Sequence, residues 1–196
     1  LAERTGWQKV AKRIRVPMGF VFAAVFLWLA RPTGKTLGLS LLPVLAGLWL
    51  RGYAAGYVRK NAELTTTGPY AHTRNPLYLG SMLIAFGFAG AAASWWILGS
   101  LALLFAAIYI PTIQGEEGYL RAHFANFDEY AAKVPRLLPR LTPAPTTAER
   151  GSFSRKLYLH HREYNASMGA GAIYFALVIR LLWEKHAFIA GVAGPR

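Results

Sequence analysis

The sequence contains no cysteine, which excludes a disulfide framework and thiolate metal sites. Acid is scarce: nine Asp and Glu stand against 22 Lys and Arg, for a net charge of +13. Histidine occurs five times and never in an H-x-x-x-H or comparable pair, so no metal ligand set is expected. The most informative absence is local. From Leu77 to Ile113 no residue is charged, a run of 37 positions, or about 55 Å as one helix and nearly two bilayer cores. Such a run has to fold back as a hairpin. The break is expected at Ala93-Ser94-Trp95-Trp96, because paired tryptophans suit the membrane interface.

Apolar residues are abundant: 54% of the chain is hydrophobic and mean hydropathy is +0.27, well above most soluble domains. A basic chain also suits nucleic acid, but here the aromatics sit in the apolar runs and not among the basic clusters, which argues against that partner. The expected class is an all-α polytopic membrane protein of about five transmembrane helices, with a cytoplasmic amphipathic helix and a cofactor-binding cap. The whole of residues 1–196 reads as one domain, with a core over about 37–140 and a C-terminal extension over 152–196.

In chain order, Trp7 to Arg15 places Lys9, Lys12 and Arg13 at helical spacing, as in a helix lying on anionic lipid. Val16 to Ala30 is a first span; Trp28-Leu-Ala-Arg-Pro32 lacks a small-x-small cleavage pattern, so a retained helix is expected. Leu37 to Leu50 is a second, running on into Arg51, an arginine that should face protein or water. In the hairpin, Ser81, Ala85 and Ala89 should let a neighbouring helix approach closely, and Pro111 should kink or end the fourth helix. Gly115 to Lys133 reads as a polar helix and Leu138 to Gly151 as a linker. A fifth span follows from Ala166 to Trp183, with Gly169, Ala170 and Gly171 suited to close packing. Lys and Arg divide 17 to five between the two sides, which by the positive-inside rule puts the N-terminus in the cytoplasm and the C-terminus outside, as in a bacterial inner-membrane protein.

Polar chemistry is concentrated in Gly68-Pro69-Tyr70-Ala71-His72-Thr73-Arg74-Asn75-Pro76-Leu77-Tyr78-Leu79-Gly80. Two prolines and two glycines bend the chain and start a helix near Pro76, whose free N–H groups suit an anionic ligand group. The orientation count sets this hinge and Glu116 on the same, cytoplasmic face.

Gly68-Pro-Tyr, Arg74-Asn-Pro-Leu-Tyr-Leu-Gly80, the uncharged hairpin, Glu116-Glu-Gly-Tyr-Leu120 and Val134-Pro-Arg-Leu-Leu-Pro139 together resemble the isoprenylcysteine carboxyl methyltransferase and phospholipid methyltransferase superfamily of integral membrane enzymes. The resemblance covers about residues 62–139. It implies S-adenosylmethionine as cofactor, bound by Ala62, Glu63, Leu64, Thr65, Gly68, Tyr70, His72, Arg74, Asn75, Pro76, Leu77, Tyr78 and Glu116, with S-adenosylhomocysteine as product. Catalytic parts are expected for Arg74, Glu116 and Glu117. Asn75 stands where the isoprenylcysteine enzymes have histidine, and Thr112 where they have a substrate-contacting arginine, which points away from a prenylcysteine acceptor. Phe124 to Tyr130 is one residue shorter than the family's pattern there.

Methyl transfer from a sulfonium needs orientation and exclusion of water more than acid–base machinery. Glu116 suits the cofactor's ammonium, and Arg74 its carboxylate. An amine acceptor also needs a base, for which His72, His123 and Glu117 are candidates; a carboxylate acceptor needs none. The expected partners are membrane lipids and a lipophilic small-molecule acceptor. Prenylcysteine carboxyl methylation, a sterol-reductase-like NADPH enzyme and a non-catalytic lipid-binding protein stay open as alternatives.

Overall fold

A computed structural model describes residues 6–59, 62–146 and 151–189, which are helical with no strand among them. The first helix, α1 (Gly6–Leu29), carries the basic N-terminal stretch and the first apolar run as one element, so no separate surface helix precedes the span; the side chains of Lys9 and Lys12 lie outside the described residues. Helix α2 (Gly34–Ala55) opens on a capping box in which Thr33 and Thr36 satisfy each other's backbone N–H groups. A single 3-10 turn, Gly68–Ala71, leads into α3 (Pro76–Ala92), which starts at the proline as its fixed φ favours.

The hairpin breaks where expected. Ala93 takes the left-handed conformation (φ 50°, ψ 34°) and ends α3, and the Ser94 side chain accepts from Ile97 N–H to start α4 (Trp95–Leu104). Trp95 and Trp96 are almost fully exposed at this turn.

Pro111 does not end the fourth helix. A π-helical turn, Phe105–Tyr109, joins α4 to α5 (Ile110–His123), with Pro111 in the first turn of α5, so that 95–123 runs on as one rod. An α-helix would have the Ala107 carbonyl accept from residue 111, whose N–H proline lacks. Trp7 Nε1 of α1 donates to that carbonyl at 3.2 Å instead. The expected polar helix over 115–133 is accordingly two pieces. Its first half, with Glu116 and Glu117, is the end of the membrane helix; its second is the short α6 (Phe127–Lys133).

Helices Gly34–Ala55, Trp95–His123 and Tyr164–His186 are long and apolar enough to cross a bilayer, while Val16–Leu29 and Pro76–Ala92 are shorter apolar helices. The chain is thus an integral membrane protein; among the described residues three such helices and two shorter apolar ones agree with the all-α polytopic membrane protein expected, of about five transmembrane helices. Leu39, Leu42, Leu45, Trp49, Phe175 and Trp183 turn outward as lipid-facing bulk.

The most extensive packing in the molecule is α2 against α3. It is glycine that permits it: a Cβ on Gly47 would sit 2.5 Å from the Gly80 carbonyl oxygen, and one on Gly80 would sit 2.6 Å from Arg51 Cγ. The tightest backbone approaches therefore fall at Gly80 and Gly87, between and beside the expected Ser81, Ala85 and Ala89, and Ser81 Oγ itself meets Arg51 of α2. Ala89 enters the apolar core with Phe26, Val44 and Phe88.

After the short α7 (Arg155–His160), α8 (Tyr164–Ile189) packs along α2 and α1. Tyr174 Oη donates to the Leu37 carbonyl at 2.8 Å and contacts Ser40 Oγ, and Arg180 Nη1 donates to the Trp28 carbonyl at 2.8 Å. Of the three small residues expected to face neighbours, only Ala170 is buried; Gly169 and Gly171 look outward.

Candidate active site

The hinge between α2 and α3 is built by a second segment lying across it. Gly68 has φ +60° and passes so close to the Tyr57 ring that a Cβ would meet it at 2.4 Å, a position only glycine fills without strain. Residues 135–144, of which 138–144 were expected to be part of a linker, supply the hinge's missing backbone partners. Arg74 N–H donates to the Pro135 carbonyl at 3.0 Å, Arg140 N–H to the His72 carbonyl at 2.9 Å and Ala144 N–H to the Ala71 carbonyl at 2.9 Å. Side chains add to this strap: Thr73 Oγ1 donates to the Leu137 carbonyl (3.0 Å), Asn75 Nδ2 to the Arg136 carbonyl (2.9 Å) and His72 Nδ1 to the Arg140 carbonyl (2.8 Å).

Beneath the strap lies a buried charge cluster. Glu117, 7% exposed at its side chain, accepts from Arg74 Nε at 3.0 Å and pairs with Arg136 Nη2 at 2.9 Å, while Asn75 Nδ2 lies 3.4 Å away. Arg74 Nη1 also donates to the carbonyls of Ala131 (2.7 Å) and Val134 (3.1 Å). This pairing ties the start of α3, the end of α5 and the strap together. Two carboxylate oxygens against two guanidinium groups is the condition under which a buried ion pair is tolerated.

Tyr130, on the shortened Phe124–Tyr130 segment, donates from Oη to the Tyr70 carbonyl at 2.7 Å. Burial pushes the phenols of both Tyr70 and Tyr130 well above their ordinary value; for Tyr130 the Glu117 charge adds to this and Arg74 opposes it. Both hydroxyls remain protonated donors through the neutral range.

In front of this support is a cavity of about 760 Å³, within the range of a small-molecule site. Of the residues nominated from sequence, Glu63, Leu64, Thr65, Tyr70, Arg74, Asn75, Pro76, Leu77, Tyr78, Glu116 and Glu117 all line it. Ala62 lines an adjoining cleft of about 460 Å³ that shares Arg59, Glu63, Leu64 and Thr65 with the cavity. Gly68 and His72 line neither; they shape the hinge from behind.

The cavity's charges differ in how they are matched. Arg74 and Glu117 face each other, Arg51 meets Glu163 and Arg59 meets Glu63. Glu116 accepts from Tyr78 Oη at 2.9 Å and has no ion-pair partner among the described residues. Tyr78 sits edge-on to Tyr109 (5.7 Å between ring centres), and Tyr109 stacks on Phe105 at 4.2 Å. The carboxylate of Glu116 beside these rings can hold a cation at the margin of an apolar wall.

Several lining residues were not nominated from sequence, among them Arg51, Tyr109 and Glu163. Arg51 carried a signal, since an arginine in an apolar run has to face protein. Tyr109 looks like any aromatic of a membrane helix, and the π turn that aims it has no sequence mark. Glu163, a lone acid after the basic stretch 155–162, is joined to the site by α7 and α8 folding back along α2.

Residues 44–126 match the family described as phospholipid methyltransferase. The nickel-cobalt-cadmium resistance protein NccN of Alcaligenes xylosoxydans xylosoxydans is 36% identical over 125 residues, 62% of this chain and 57% of that protein. The cobalt-zinc-cadmium resistance protein CzcN of Cupriavidus metallidurans is 34% identical over 157 residues, 73% of this chain and 71% of that protein. The chain thus spans a little over half the length of the first of these relatives. No solved structure matches this chain. The family match takes in Arg51, the hinge, Glu116 and Glu117, and stops before the strap and Glu163.

Proposed function

From the premise that this chain belongs to the phospholipid methyltransferase family, we propose that it is an S-adenosylmethionine-dependent methyltransferase acting on a lipophilic acceptor within the membrane. The observation that carries this reading is the cavity itself: one carboxylate without an ion-pair partner among the described residues, Glu116, set against tyrosine rings at the membrane end of the hinge. When bound, S-adenosylmethionine supplies an activated methyl group on a sulfonium. Glu116 would hold its ammonium, and the polar segment Glu63–Thr65 would contribute backbone groups. Arg74, fully engaged with Glu117 and two carbonyls, would act by fixing the start of α3.

The acceptor's chemistry follows from what the candidate bases are doing. His72 is turned to the Arg140 carbonyl and does not line the cavity, His123 is exposed and bonded to the Tyr119 carbonyl, and Glu117 is held between two arginines. None of the three stands ready to take a proton from an amine. A carboxylate acceptor, which needs no base, therefore suits the cavity better than an amine. The names of NccN and CzcN connect those proteins with metal resistance and do not specify an acceptor. The positive-inside count supports a cytoplasmic N-terminus and a cofactor entrance from the cytoplasm.

The test is methyl transfer in nanodiscs with radiolabelled S-adenosylmethionine, offering a bacterial lipid extract in one reaction and a farnesylcysteine analogue in another. Label in the lipid fraction as a methyl ester, released by mild base, is expected, and label on a lipid amine would overturn the carboxylate acceptor. Label confined to the analogue would overturn the acceptor, and failure to bind S-adenosylmethionine would overturn the function.

A further inference from the structure

Arg51 is held in the cavity by two independent sets of contacts. On one side, Nη1 donates to Ser81 Oγ and to the Leu77 carbonyl (3.3 Å), both on the first turns of α3. On the other, Nε and Nη2 present the flat fork of the guanidinium to the Glu163 carboxylate, at 3.0 Å and 2.9 Å. The α3 contacts keep the fork aimed into the cavity whatever occupies its open edge. Glu163 is thus a carboxylate in a two-toothed oxyanion seat, at the point where a polar cavity meets an apolar helix wall.

Arg162, just past the end of α7, takes the left-handed conformation (φ +52°) that turns the chain toward Glu163 and α8. The short α7 before it is anchored to the end of α2: Ser154 N–H donates to the Gly56 carbonyl at 2.9 Å and His161 Nδ1 to the Ala55 carbonyl at 3.1 Å. The turn is fixed and the Glu163 side chain is the part able to swing aside.

We propose that Arg51 is the seat for the oxyanion headgroup of an aliphatic ligand, and that Glu163 is its resident counter-ion, displaced when that ligand enters. The proposal rests on the reading of the cavity as a site for a lipophilic acceptor and adds the acceptor's anionic end to it. The tail would lie along Leu77 and Tyr109, which line the same cavity on the membrane side. Glu163 balances the arginine while the seat waits, so that no buried charge is left unpaired. A carboxylate and a phosphate present the same fork-matching oxygens, so either serves as the head.

The experiment is equilibrium dialysis of purified protein in neutral detergent, without S-adenosylmethionine, using radiolabelled octanoate as head with tail, acetate and inorganic phosphate as heads alone, and octanol as tail alone. Octanoate is expected to bind wild type and to bind Glu163→Gln about tenfold more tightly, since the competing carboxylate is gone while the fork stays aimed. Arg51→Lys, which keeps the charge and loses the fork, should weaken octanoate about tenfold. Octanol should respond to neither change, and acetate and phosphate should not displace octanoate at matched concentrations. A purely structural ion pair would give lower thermal stability in Glu163→Gln with octanoate affinity unchanged or weaker, and that result would overturn the proposal. Displacement by phosphate or acetate as effective as by octanoate would overturn its lipid part. A separate titration with S-adenosylmethionine on the same preparation reports on the methyltransferase reading, so the two fail independently.

Discussion

Where α2 crosses α3 the helices are held by the absence of side chains, whereas around the cavity they are held by charge. At the crossing, Gly47 and Gly80 bring two backbones together and the energy is packing. At the polar end, the starts and ends of α3, α5 and α6 meet through Glu117, Arg74 and Arg136 and through the strap over the hinge. The first arrangement tolerates no added volume and is indifferent to pH and salt; the second tolerates shape changes and fails when a charge is removed. Under the proposed reading, a site open to water-soluble and lipid-soluble ligands at one place needs both, a rigid wall in lipid and a polar end whose donors and acceptors are already matched.

The largest expected effect is on the charged end. Glu117→Gln keeps the shape of the side chain and leaves Arg74 buried without its counter-ion, which should cost about 3–5 kcal/mol. Urea or thermal unfolding followed by circular dichroism checks it, and a loss below about 1 kcal/mol would remove the cluster from its supporting role. Next comes the crossing: Gly47→Ala puts a methyl group against a backbone oxygen at 2.5 Å and should cost about 1–3 kcal/mol by forcing the helices apart. The same variant measured at high and low salt should show equal losses, unlike Glu117→Gln.

The smallest of the stability effects separates the two regions by pH. Tyr70 and Tyr130 keep their protons in the folded protein well above the ordinary value of 10.0, chiefly because they are buried. Above pH 10 the unfolded chain binds fewer protons than the folded one, so stability falls as pH rises past that point. Hydrogen exchange should show α6 and the hinge opening first, with α2 and α3 unchanged; a flat profile from pH 9 to 11 would contradict the assignment.

Much of this division was legible in the sequence because it rests on composition. The uncharged run 77–113 required a hairpin, the paired Trp95 and Trp96 marked its break, and Pro76 could begin a helix. The crowding of Arg74, Asn75, Tyr78 and Glu116 into motif-like blocks marked the site. What was not legible depends on three-dimensional pairing. Ser81, Ala85 and Ala89 have helical spacing, but Gly80 and Gly87 lie on the face that turns to α2. Pro111 reads as a helix end, and only a π turn with an indole donor from α1 keeps the helix running through it. Residues 138–144 look like a linker because their prolines forbid a helix, yet their backbone groups complete the hinge. Glu163 has no motif around it, and its place in the cavity follows from α7 and α8 folding back along α2.

The most direct test of a methyl-transfer site centred on Glu116 is calorimetric titration of the purified protein with S-adenosylmethionine, with NADPH as the comparison ligand. Wild type should bind S-adenosylmethionine and not NADPH, and Glu116→Gln, folded as judged by its circular dichroism, should bind it more weakly by about 1.5–3 kcal/mol. Binding of NADPH alone, or an affinity for S-adenosylmethionine untouched by Glu116→Gln, would contradict it.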